Sequence, residues 1–166
     1  MVPPDMSAGY SDQLAARSKE TGSNLCVGLD PRIEHHEDDV LEVERFLDQV
    51  VEQTLPKTAC YKPNIAYFEA MGPEGLMMLK RVMDRIPESV PVILDAKRSD
   101  IGETQRRYAE ACFEGFGADA VTINPFMGYD SLDETQDALP TAQEVQEGGF
   151  FPVMTYYFDI NARWSI

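Results

Sequence analysis

The 166-residue sequence has two His, one Trp and three Cys, and each shortage removes a class of function. Cys26, Cys60 and Cys112 are odd in number and far apart, with no C-x-x-C and no His at metal-ligand spacing. Neither a disulfide scaffold nor a zinc site fits, and the three thiols read as reduced, buried, small apolar residues. His35 and His36 lie side by side in the polar stretch Glu34 to Asp39. Adjacent residues point in different directions, so this pair reads as a solvated loop and not as a metal site. No apolar run approaches the roughly 20 residues that a membrane span needs. The opening Met1-Val2-Pro3-Pro4-Asp5 has neither the basic start nor the apolar stretch of a signal peptide. The expectation is a cytoplasmic protein.

Positive charge is scarce as well. There are 14 basic residues, five of them Lys, against 29 acidic ones, for a net charge of -15. Such a field repels nucleic acid and anionic membrane alike, so neither is an expected partner. An acidic surface low in Lys is also of the kind that stays soluble in high salt. What remains is the composition of one ordinary soluble domain over residues 1–166, with 43% hydrophobic and 26% charged residues.

Four short runs rich in β-formers alternate with helical patterns, the signature of βαβ units building a parallel sheet. The first run is residues 24–29, closed by Asp30-Pro31. Val40, Val43, Leu47, Val50 and Val51 then recur at helical spacing. A second run, Thr58 to Lys62, ends at Pro63, and Leu76, Leu79, Val82, Met83 and Ile86 mark a second helix stopped by Pro87. The third run, Val90 to Lys97, has an early Pro91, which suits a strand's first residues. A third helix is expected from about Asp100 to Phe116, with Ile101, Tyr108, Cys112, Phe113 and Phe116 on one face and Gly117 ending it. Ala118 to Asn124 is the fourth run. Beyond Asp130 the pattern weakens to a polar helix over 131–146 and a fifth strand over 150–157.

The expected fold class is therefore α/β, a partial (β/α)₈ barrel with about four to five βα units. Closing such a barrel takes about 200 residues at minimum, so the chain reads as the front portion of one. Its last residues stop in mid-pattern, which suggests a truncated or frame-shifted product.

In each unit a polar residue stands at the strand's C-terminal end: Asp30, Lys62, Asp95 with Lys97, and Asn124. That end of a barrel carries the substrate face. Asp95 and Lys97, two apart on a strand, point the same way, and Asp100 follows where strand turns into helix. With Lys62 from the adjacent strand, the result is an expected Lys-Asp-Lys-Asp set in which each charge keeps its neighbour ionised. Each residue also has a plainer reading. A lone D-x-K is a common ion pair, Asp100 with Glu103 reads as a capping box, and Asp30-Pro31 as a turn. Convergence on one face favours the site.

The segment Asp95-Ala96-Lys97-Arg98-Ser99-Asp100-Ile101-Gly102-Glu103-Thr104 resembles the D-x-K-x-x-D-I-G-x-T signature of orotidine 5′-phosphate decarboxylases. Val27 to Pro31, Tyr61-Lys62-Pro63-Asn64 with Phe68-Glu69, and Ile123 to Gly128 with Asp130-Ser131-Leu132 resemble the subgroup found in mycobacteria and many other prokaryotes. The resemblance covers about residues 11–132 and leaves 133–166 divergent. Ser99 departs from the subgroup's usual Gly.

The resemblance implies a metal- and cofactor-free decarboxylation of a nucleotide substrate to uridine 5′-phosphate. Lys97 would deliver a proton to C6, Asp95 would face the departing carboxylate, and Lys62 would hold the charge network and the ribose. Asp30 would bind a ribose hydroxyl. Asp100, Ile101 and Thr104 would reach across a homodimer interface into the neighbour's site. The family's phosphate contacts come from the last barrel strands, which are not found here, and Arg163 cannot be assigned that role. Their loss would lower affinity and turnover. Two other readings stand beside this one. Magnesium-dependent keto-gulonate-phosphate decarboxylases and hexulose-phosphate synthases share D-x-K-x-x-D, but the Ile101-Gly102-x-Thr104 continuation favours the nucleotide enzyme. A non-catalytic half-barrel fragment is the other.

Overall fold

The computed structural model describes residues 10–124. The polar helix and fifth strand expected farther on lie outside the described residues. Among the described residues there are four strands, β1 (Leu25–Leu29), β2 (Thr58–Pro63), β3 (Ile93–Arg98) and β4 (Ala120–Ile123). β1 pairs with β2 and β3 with β4, both in parallel, and parallel bridges from Tyr61 to Val92 and from Asn64 to Asp95 bring β2 alongside β3. The spatial order thus follows the sequence, each strand lying beside the next.

Between the strands run α2 (Val40–Thr54), the short α3 (Ile65–Glu69) with α4 (Gly72–Arg85), and α5 (Gly102–Ala109). Two of these helices begin at a side-chain cap. The Asp39 carboxylate accepts the Leu41 N–H at the head of α2, and the Asn64 side chain accepts the Ala66 N–H at the head of α3. α5 continues as a wider π-helical turn over Glu110–Gly115, and Gly117, at φ +77°, turns the chain toward β4.

Strand alternation divides the buried residues into two groups. Leu29, Tyr61, Leu94, Val121 and Ile123 face the helices and pack with Val43, Leu47, Phe68, Met78, Leu79 and Val82. Cys60, Ile93 and Ala120 face the other way and pack under Tyr10 and Leu14. Those two belong to α1 (Tyr10–Thr21), a helix the sequence pattern did not announce. It is fastened by Arg17, whose guanidinium is buried and donates to the carbonyls of Thr58 (3.1 Å) and Leu55 (2.8 Å). α1 therefore floors the inner face at the N-terminal end of β2, which leaves the strands' C-terminal ends for chemistry.

Four expectations are corrected. The third helix begins at Gly102 and not at Asp100, because Ile101 is still extended (φ -96°, ψ 144°). For the same reason Ile101 does not share the buried face of Cys112 but is 63% exposed. The capping box does not form either: Asp100 accepts the N–H of its neighbour Ile101, while Glu103 pairs with Arg106 and Arg107. Cys60 and Cys112 are buried as expected, but Cys26 is exposed, since β1 lies at the edge of the strand order among the described residues. His36 is half-buried, its ring 4.8 Å from that of Phe46, while His35 is exposed. No helix among the described residues is long and apolar enough to cross a membrane.

Candidate active site

Alternation places Lys62, Asp95 and Thr122 on the inner face, above the floor made by Cys60, Ile93 and Ala120. Asp95 is the hub. Its carboxylate, 1% exposed, accepts from Lys62 Nζ at 2.9 Å on Oδ2 and from Lys97 Nζ at 2.5 Å on Oδ1. The Thr122 hydroxyl donates to Oδ1 as well, at 2.8 Å. Burial alone pushes the Asp95 carboxyl up, but the bonds from Lys97, Lys62 and Thr122 outweigh it and hold the group below its ordinary value. The carboxylate is thus charged, with Lys62, Lys97 and Thr122 donating to it.

The two ammonium groups differ in access. The Lys62 side chain is 24% exposed and that of Lys97 46%. Lys97 stands on the open side of the cluster, with its backbone at φ +51°. This left-handed conformation is uncommon for a residue with a Cβ. It coincides with a slip in the β3–β4 register between Leu94 and Arg98, and there the Lys97 N–H donates to the Thr122 hydroxyl at 3.0 Å.

Of the expected residues, the structure brings Lys62, Asp95 and Lys97 together. Asp30 follows β1, and a Cβ added to Gly28 would lie 3.6 Å from its Oδ2, so the carboxylate folds back over the residue that pairs with Lys62. Asp100 is half-buried three residues beyond Lys97, with its carboxylate on the Ile101 N–H at 2.8 Å, and the expected fourth charge is therefore turned to its own backbone. Ile101 and Thr104 are exposed beside it. The Asn124 N–H donates to the Arg98 carbonyl at 2.8 Å. Arg98 itself pairs with Glu69 at 2.9 Å and lies over the Tyr108 ring. Ser99 Oγ is buried with no hydrogen-bond partner among the described residues.

Thr122 was not singled out from the sequence. The signal was present, since it sits two residues before Asn124 and so shares its inward face, but a Thr in a strand reads first as a β-former. Among the described residues no group of three or more His, Cys, Asp or Glu side chains is placed to hold a metal ion. A surface groove lined by Leu41, Glu44, Arg45, Asp48 and Arg81 lies on the outer helices, not at the strand ends.

Chemically, the arrangement offers a cation held in a fixed place beside a buried anion, with a second cation behind. It can stabilise a developing negative charge and donate a proton.

The chain is similar to known proteins. The model of the orotidine 5′-phosphate decarboxylase / HUMPS family matches residues 23–148. The orotidine 5′-phosphate decarboxylase of Herpetosiphon aurantiacus is 42% identical over 127 residues, which are 74% of this chain and 48% of that protein. That of Albidiferax ferrireducens is 47% identical over 128 residues, 74% of this chain and 45% of the relative. The solved structure of Leishmania donovani OMP decarboxylase superposes with a TM-score of 0.72 at 40% identity, covering 78% of this chain and 50% of that one. The chain thus spans about half the length of the curated relatives it matches, and its fold is part of a (β/α)₈ barrel.

Proposed function

The chain belongs to the orotidine 5′-phosphate decarboxylase / HUMPS family, and from that premise we propose that Lys62, Asp95 and Lys97 form the charged core of a site that decarboxylates orotidine 5′-phosphate. The observation that carries this reading is the buried Asp95 carboxylate clasped by two ammonium groups at the mouth of adjoining parallel strands.

The chemistry follows from the geometry. When the carboxyl group leaves the pyrimidine as carbon dioxide, the electron pair of the broken carbon–carbon bond stays on C6 as a vinyl carbanion. A fixed ammonium beside C6 stabilises that charge without reorganising. Lys97, the more exposed of the two cations, takes this place and passes one of its protons to C6. Asp95 faces the departing carboxylate and holds Lys97 in direction, and Lys62 balances the charge and reaches the ribose. Asp30, at the end of β1, binds a ribose hydroxyl. No metal or cofactor takes part in this scheme. Asp100, Ile101 and Thr104 serve the site of a second copy in a homodimer, and the exposure of Ile101 and Thr104 supports that use. The protein works in the cytoplasm.

The test is loss of orotidine 5′-phosphate absorbance with a chelator present. It is run on the chain alone and on the chain joined to the C-terminal half of the Herpetosiphon aurantiacus relative. The joined protein is expected to form uridine 5′-phosphate, and the chain alone little or none, because remote phosphate contacts supply energy used at the reacting carbon. A joined protein that folds and forms no product contradicts the reading.

A further inference from the structure

We propose that Thr122 is the positioning residue of this cluster: its buried hydroxyl, fixed between the Asp95 carboxylate and the Lys97 amide, sets the direction in which Lys97 presents its ammonium. The catalytic meaning of this role rests on the reaction proposed above, but the geometry stands without it.

Lys97 is held at φ +51°, a conformation for which Gly is suited and Lys is not. Such a conformation persists only where its surroundings over-determine it. At this point β3 slips against β4, and the Lys97 N–H is bonded to a side chain on β4 instead of a strand carbonyl. Thr122 therefore supplies the acceptor that the slipped ladder does not, and it does so from a position with 0% exposure.

The hydroxyl has one proton and two lone pairs. It accepts from the Lys97 N–H, so its proton goes to Asp95 Oδ1, the same oxygen that receives Lys97 Nζ. One side chain thus fixes both ends of the Lys97 residue: its backbone directly and its ammonium through the carboxylate. The Asp95 carboxylate is faced by Lys97 from its own strand, by Lys62 from β2 and by Thr122 from β4. Of these only Thr122 is uncharged, so its removal alters direction and hydrogen bonding without altering net charge.

Thr122→Val keeps the shape and removes the hydroxyl, whereas Thr122→Ser keeps the hydroxyl. Carbon NMR of the labelled Asp95 carboxyl is expected to show its titration moving up by about one pH unit in the Val variant and staying in place in the Ser variant. Amide exchange at Lys97 is expected to quicken in the Val variant alone. A Val variant that leaves both unchanged overturns the proposal. Should that variant not fold, the unmodified chain decides. A Lys97 amide protected from exchange upholds the bond to Thr122, and one exchanging like an exposed amide refutes it. Neither readout needs turnover, so a failure of the proposed reaction remains distinguishable from a failure of this role.

Discussion

Two buried carboxylates among the described residues, Glu44 and Asp95, are each held by two cations, and they have different consequences. Glu44 on α2 is bound by Arg81 and Arg85 of α4, with Arg81 in a fork of contacts at 3.0 Å and 2.6 Å. Arg85 also reaches Asp48 at 2.6 Å. Hydrogen bonds from Arg81, then those from Arg85, overcome burial and bring Glu44 down to about 2. Asp95 is bound by Lys62 and Lys97, point charges on flexible stems, with a hydroxyl as third donor. Planar guanidinium forks satisfy a carboxylate in a rigid geometry and are never deprotonated. They make Glu44 a clamp between two helices. An ammonium can give up a proton, so the Asp95 cluster is suited to acid–base chemistry in a way that the clamp is not.

Removing the anion from each cluster breaks the comparison most strongly. Asp95→Asn is expected to lower turnover of the joined protein by about a thousandfold, because the direction of Lys97 is lost and the charge beside it changes. Glu44→Gln is expected to leave turnover unchanged and to cost about 2 kcal/mol of stability, seen as a lower urea midpoint at unchanged slope. Equal effects of the two substitutions on turnover would remove the distinction.

Acid sharpens it further. Both carboxyls lie below their ordinary values in the folded chain. Each therefore stabilises the fold above its unfolded value, and that stability is lost as pH falls through the folded value. For Glu44 the window runs from 4.5 down to about 2, and for Asp95 it opens below 3.8. Circular dichroism between pH 5 and pH 2 is expected to show stability falling, less steeply in Glu44→Gln than in the parent chain. An unchanged slope would mean that Glu44 does not carry the acid sensitivity.

The clamp and the cluster were not equally legible in the sequence. Strand ends at Asp30, Lys62, Asp95 and Asn124 could be read because period-two alternation and the following Pro or helix pattern mark them. That parity also put Asp95 and Lys97 on one spot. It did so by a route the sequence hides, since Lys97 reaches Asp95 from a left-handed backbone at a register slip. α1 was invisible because its buried positions include Arg17 and Thr21, which carry no apolar signal. The Glu44 clamp spans 37 and 41 residues to its two Arg partners, a pairing only the packing of α2 on α4 creates. Spacing alone did not show that, within one chain, the local turn gives the Asp100 carboxylate to the Ile101 N–H.

The rate of uridine 5′-phosphate formation by the joined protein, compared between Lys97 and Lys97→Ala, tests the central claim most directly. The account predicts a loss of at least about a hundredfold, with the circular dichroism spectrum and urea midpoint close to those of the parent. A Lys97→Ala protein that keeps the parental rate would contradict it.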